Sequence, residues 1–184
     1  MQANIFKSTM FNGLIMGILF SINFILSASK NVSLLLLTYL LIAVMIVVMY
    51  RMAKKYRDLE CGGYIKYWKV FNFVLLTFFF AGIVSTIFKI IYTKYINPEY
   101  LTYLFEESMR QIEQNRSIFE RFNLPLDDNY YEQIEQQMQP TRYAIQTIWM
   151  NVFSGAILGL ILGGFIKKDK GIFDEEIPAN TSEN

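Results

Sequence analysis

Histidine is absent from the chain, and cysteine occurs once, as Cys61. A lone cysteine cannot close an internal disulfide. Zinc, haem and iron–sulfur centres lose their usual ligands, and a histidine base or a Ser–His pair is excluded. No catalytic residue, metal or cofactor is therefore expected. Cys61 reads as a small surface residue beside a Gly62-Gly63 turn. Proline is sparse too: Pro98, Pro125, Pro140 and Pro178 are the full set, and all lie between or beyond the apolar runs. Most telling is where charge is missing. Residues 8–29, 31–50, 70–88 and 143–166 contain no Asp, Glu, Lys or Arg.

Each of these runs is about the ~20 residues that a helix needs to cross a bilayer core of roughly 30 Å. The chain is 53% hydrophobic and 18% charged, with its charge in blocks between the runs. A soluble domain would mix charge into every helix. The net charge of +1 and the lack of a large basic patch give no reason to expect nucleic acid as a partner. The first run exceeds the roughly 7–15 apolar residues of a signal peptide. The second run starts almost at once, so the two read as a tight membrane hairpin around Lys30. The expected fold is an all-α integral membrane protein with four transmembrane helices, at about residues 8–29, 31–50, 70–92 and 143–166. An extracytoplasmic helical hairpin, 97–141, lies between the third and fourth. Residues 1–170 form one domain, and residues 171–184 read as a disordered cytoplasmic tail.

Orientation follows from Lys and Arg, which stay cytoplasmic near helix ends. Lys7, Arg51, Lys54, Lys55, Arg57, Lys66, Lys69, Lys167, Lys168 and Lys170 share one side if there are four spans. The long loop holds Lys89, Lys94, Arg110, Arg116, Arg121 and Arg142, and its nine acids outnumber these six bases. Both termini are expected in the cytoplasm and the long loop outside, in the periplasm of a bacterial inner membrane. Tyr50, Tyr56, Tyr64, Tyr67, Trp68, Tyr92, Tyr95, Tyr143 and Trp149 fit an aromatic belt at the two interfaces.

Gly13, Gly17 and Ser21 stand four apart in the first span, as do Gly155, Gly159 and Gly163 in the fourth, with Gly164 adjacent. Small residues at this spacing let another backbone come close, which drives helix packing in lipid. The first and fourth spans are expected to pack on each other through these faces, or one face dimerises between chains. Asn12 and Asn23 share a face about three turns apart. Thr147, Asn151 and Ser154 form a second polar stripe. Interhelical hydrogen bonds explain such residues. A polar groove for a lipid headgroup or small solute is the sharper alternative. No charged residue is expected deep within a span, and no proline breaks one, which argues against a secondary transporter.

In the outer loop, Asn97-Pro98-Glu99 reads as a capped helix start. Leu101, Leu104, Phe105, Met109, Ile112, Phe119 and Phe122 then recur on one face. Residues 123–128 read as a turn, and Asn129 with Glu132 as a capping box for a second helix. Asp127 and Asp128 resemble an acid/base pair, but charge on a solvated helix face accounts for them. On the inner side, Lys54, Lys55, Arg57, Lys66 and Lys69 suit contact with anionic lipid headgroups, at about 1 kcal/mol each. Their role as a topology signal is sufficient by itself.

The small-residue first span, Gly62-Gly63-Tyr64-Ile65, Tyr95-Ile96-Asn97-Pro98 and the glycine-spaced fourth span resemble a Bacteroidota membrane-protein family, domain of unknown function 4199, over about residues 5–168. The resemblance implies no activity and no site residues. It hints at a neighbour among polyprenyl-linked glycosyltransferases. The expected function is a non-enzymatic accessory or scaffold for a membrane partner, with lipid-linked glycan machinery as the partner class. The alternative is a lipid- or small-solute-binding or transport protein that uses the polar faces of the first and fourth spans. Membrane lipids, a membrane-protein partner or further copies of the chain are the expected contacts.

Overall fold

A computed structural model of the chain describes residues 4–29, 31–122 and 128–170. Residues 1–3, Lys30, residues 123–127 of the expected 123–128 turn, and residues 171–184 of the expected tail lie outside the described residues. Four helices supply the long apolar segments: α1 (Ile5–Ala28), α2 (Val32–Lys55), α3 (Tyr67–Ile91) and α7 (Pro140–Ile166). Between α3 and α7 come α4 (Glu99–Gln114), α5 (Arg116–Arg121) and α6 (Asp128–Gln137). Among the described residues, four helical stretches are long and apolar enough to cross a membrane: Ile5–Ala28, Ser33–Glu60, Tyr67–Ile96 and Pro140–Ile166. The third starts before residue 70 and runs well past Lys89, because a single charge does not end a helix whose next residues are Ile90, Ile91 and Tyr92.

Local chemistry sets the ends. Asn4 caps α1 by accepting from the Lys7 amide at 3.3 Å, and Asn31 caps α2 by accepting from the Ser33 amide at 2.9 Å. Pro140 occupies the first turn of α7, where its missing N–H costs nothing. Both α2 and α3 end in a π-helical turn, Tyr56–Glu60 and Tyr92–Ile96. The Cys61 amide reaches the Tyr56 carbonyl at 3.1 Å, and the Asn97 amide reaches Tyr92 at 2.8 Å. Asn97 does not cap α4 as expected. Its side chain turns back toward the Tyr92 hydroxyl, at 3.5 Å. Asn129 sits inside α6 rather than capping it, since the helix already includes Asp128.

The tail-side end of the bundle is tied by backbone. Gly62 and Gly63 take φ of 70° and 85°, left-handed values open to glycine at little cost. They reverse the chain so that Ile65 pairs with Lys168, with N–H to carbonyl distances of 2.9 and 3.0 Å. The Arg57 guanidinium donates to the Ile166 carbonyl at 3.2 Å, capping the end of α7. The start of α1, the α2–α3 turn and the end of α7 therefore share one end of the bundle.

α3 is the central helix, and both small-residue faces meet it. The expected pairing of the first and fourth spans is replaced by a shared partner. A Cβ on Gly13 would lie 2.5 Å from the Phe80 Cβ, and one on Gly17 would lie 2.6 Å from the Val84 Cβ. On the other side of α3, Gly155 faces Phe78, Gly159 faces Phe71 and Gly163 faces Tyr67. The reason is steric. Small faces can close on each other or on bulk, and here the large side chains of α3 fill both notches. Ser21, on the α1 face, is buried and donates to the Gly17 carbonyl at 2.9 Å.

Polar bonds then pin the packed pairs. Thr86 of α3 donates to the Ala144 carbonyl of α7 at 3.0 Å, and the Tyr67 hydroxyl donates to the Leu160 carbonyl at 2.9 Å. Asn23 of α1 donates to the Thr38 carbonyl of α2 at 3.1 Å. On the loop side, Tyr100 and Leu101 of α4 pack with Phe24 and Ala28 of α1. The outer helices thus cap the bundle at this point.

Candidate functional site

α2 leans on α1 and hardly touches α7, so the two outer helices do not close over α3. The space between them is a cavity of about 610 Å³. α1 contributes Phe20, Asn23, Phe24 and Ser27, and α2 contributes Ile42, Met45 and Ile46. α3 supplies Phe78, Ser85 and Lys89, and Tyr100 of α4 stands at the loop-side end. The α7 wall runs from Tyr143, Thr147, Asn151 and Ser154 to Ile157, Leu158 and Ile161. Just beyond Met45 and Ile161, Met49 and Leu162 are buried in the core, which closes the tail-side end.

The lining is graded along the helix axis. Lys89, Tyr100, Tyr143, Thr147 and Ser27 sit near the loop side. Ser85 and Asn151 come about one turn deeper. Below them the walls are mainly apolar, Phe78, Met45, Ile157, Leu158 and Ile161, with the Ser154 hydroxyl among them. A polar mouth over an apolar shaft is the profile of an amphipathic guest.

Lys89 donates to Thr147 Oγ1 at 3.1 Å, and Thr147 in turn donates to the Tyr143 carbonyl at 3.3 Å. Its ammonium lies 4.8 Å from the centre of the Phe24 ring and 5.7 Å from that of Tyr143. The Phe24 ring meets Phe88, Tyr92 and Tyr100 edge-on. Burial pushes the Tyr100 phenol well above its ordinary pKa, and neighbouring Tyr143 adds to the shift. Tyr100 is thus a neutral hydroxyl at the mouth.

Two polar groups here have no hydrogen-bond partner: Ser85 Oγ and Asn151 Nδ2, both buried atoms. Elsewhere, helical hydroxyls bond back to the preceding turn. Thr77 donates to the Phe73 carbonyl at 2.7 Å and Thr93 to the Lys89 carbonyl at 2.8 Å. Ser85 makes no such bond.

Of the residues singled out from sequence, Asn23, Thr147, Asn151 and Ser154 are brought together in this cavity. Asn12 is not: it lines a separate tail-side cavity of about 380 Å³ with Lys7, Ser8, Lys55 and Glu60. Lys54, Lys55, Lys66 and Lys69 are exposed at the tail side. Arg57 is engaged within the chain, by Asp58 at 2.7 Å and by the Ile166 carbonyl. Of the expected aromatic belt, Trp68, Tyr95 and Trp149 are exposed. Tyr56 is instead buried and stacks on Phe73 at 4.3 Å. Tyr92 and Tyr143 belong to the aromatic cluster at the mouth rather than to a lipid-facing belt.

Sequence reasoning placed Lys89 in the outer loop and missed Tyr100. The signal for Lys89 was present. Apolar residues continue past it, and Ser85 lies one turn before it on the same face. Asp128 begins α6, and Asp127 lies outside the described residues, so the acid pair acquires no structural context.

Four apolar helices of this length define the class, a multi-span helical membrane protein, by length and composition. The chain belongs to the family described as protein of unknown function (DUF4199), whose profile matches residues 11–168. No curated protein and no solved structure matches it.

Proposed function

We propose that the protein holds one amphipathic, lipid-like molecule in the cavity between α2 and α7. One observation carries the reading: the lining passes from mainly polar to mainly apolar along the helix axes, as a lipid does. The volume, about 610 Å³, falls within the roughly 300–1,000 Å³ of typical ligand sites. Few contacts between α2 and α7 leave a lateral path from the bilayer. The reading assigns binding and no reaction. It takes up the lipid-handling alternative, with α3 adding to the polar faces of the first and fourth spans. The loop side is taken as periplasmic and both termini as cytoplasmic in a bacterial inner membrane, on the Lys and Arg asymmetry of the loops.

The test is lipid analysis of the full chain purified in mild detergent, beside a Ser154→Trp variant whose indole would fill the cavity. Wild type should retain a defined lipid, and the variant should lose it. Equal lipid in both would sink the reading.

A scaffold role for a membrane partner, such as lipid-linked glycan machinery, is the second reading. It is favoured by Ile118 and Phe122, which are 50% and 73% exposed on the loop side. Cross-linking in native membranes tests it: a stoichiometric partner on α4–α6 supports it, and its absence removes it.

A further inference from the structure

Lys89 is a cation with no carboxylate beside it. Among the described residues, ion pairs join Arg57 to Asp58, Arg110 to Glu107 and Arg116 to Glu113. None involves Lys89, and no acidic side chain lines the cavity. A hydroxyl and two ring faces steady an ammonium group without neutralising its charge. In a medium of low dielectric, a cation of this kind normally has a partner anion.

Snorkelling does not account for it. A lysine near a helix end usually lifts its charge to the interface. α3 runs from the tail side to the loop side, and helical side chains lean toward the N-terminus. Lys89 therefore leans into the membrane. Its partner Thr147 lies seven residues into α7, about 10 Å below the start of that helix.

Two neighbouring polar groups also lack partners. Ser85 is 1% exposed, and its hydroxyl has no acceptor. Asn151, one turn from Thr147 on the facing helix, has an amide nitrogen with no acceptor. Both atoms are shut in by protein, so the Lys89 ammonium is the donor that a guest in the cavity can reach. What it lacks is an acceptor rich in negative charge.

Resting on the binding role proposed above, we infer that the ligand is an anionic lipid. Its phosphate or carboxylate sits on Lys89, and its acyl chain lies along Phe78, Met45 and Ile157. A charge-assisted contact at this depth separates anionic from zwitterionic lipids, where a wholly apolar cavity would not.

The test uses the full chain in phosphatidylcholine nanodiscs, with spin-labelled phosphatidylglycerol or spin-labelled phosphatidylcholine as the probe. The immobilised fraction is read by electron spin resonance. Wild type should prefer the glycerol lipid about tenfold, the low end for a charge-assisted contact. Lys89→Met should abolish the preference while still holding the choline lipid, and Lys89→Arg should keep it. Should Lys89→Met fail to fold, Lys89→Gln serves instead, and the same loss of preference is expected. Equal retention of both probes by wild type would overturn the inference and leave the binding role standing. Retention of neither probe would overturn both. Displacement of the glycerol lipid by inorganic phosphate, but not by chloride at equal ionic strength, would assign the site to a free anion and overturn the lipid. No displacement supports it.

Discussion

Gly155 of α7 has no side chain where Phe78 of α3 passes: a Cβ there would lie 2.5 Å from the Phe78 Cβ. The clash would be with the root of the ring rather than its flexible tip. α7 could accept a methyl only by moving away from α3. Gly155→Ala should therefore cost about 1–3 kcal/mol, the usual range for overpacking. That outweighs the roughly 1 kcal/mol that alanine gains in helix propensity. Gly164→Ala, nine residues along, meets nothing within 4 Å and should be neutral or stabilising. Reversible unfolding in detergent compares the two, and equal effects would refute the packing account.

Gly63 makes a different demand. No atom stands within 4 Å of its would-be side chain, but its φ is 85°. Gly63→Ala should cost about 1–2 kcal/mol through the backbone alone. Amide exchange at Ile65 and Lys168 should quicken, since their pairing depends on this reversal. Unchanged exchange at both amides would refute the dependence.

Thr86 and Ser85 are adjacent and should respond oppositely. Thr86→Val removes a hydrogen bond to the Ala144 carbonyl. It should cost about 0.6 kcal/mol, the mean for such bonds between membrane helices. Ser85→Ala removes a buried hydroxyl that has no partner. In lipid-free protein it should be neutral or stabilising, because the desolvation cost disappears with the group. The reverse order of stabilities would show that the Ser85 hydroxyl is satisfied.

Tyr100 links stability to alkaline pH. Burial raises its folded-state pKa, while the unfolded chain titrates near about 10. The folded state then binds the phenolic proton more tightly. Its contribution is fully present below about pH 10 and is lost as pH rises through the folded value. Tyr100→Phe should lack this share of the alkaline loss. Thermal unfolding at about pH 8 and about pH 11 measures it, and identical losses in both proteins would show that Tyr100 does not contribute.

Much of the fold was legible because lipid imposes simple rules. Charge-free runs of membrane-spanning length could be counted. The asparagine caps of α1 and α2 and the Gly62-Gly63 reversal follow from local chemistry. Asn97 does not cap α4 because Pro98 takes the cap position and Asn97 closes the π-helical turn before it. Tyr56 was misplaced because the same kind of turn, at the end of α2, carries it inward onto Phe73. Propensity rules describe α-helices and do not anticipate such an insertion.

The site was half legible. Asn23, Thr147, Asn151 and Ser154 stood out as polar residues in apolar runs, since lipid makes each of them costly. Lys89 was hidden by its position at a run's edge, where charge is ordinary.

Composition and order along the chain were enough to set the solvent, the number of long apolar helices and the small-residue faces, because these depend on transfer into lipid and on local geometry. Which helix lies at the centre is a question of shape between distant segments. Small faces can meet each other or meet bulk, and only the packed arrangement on Phe71, Phe78, Phe80 and Val84 of α3 decided it. The cavity is a consequence of that choice. With α1 and α7 both committed to α3, the space between α2 and α7 stays unfilled, and it is there that Lys89 finds its place.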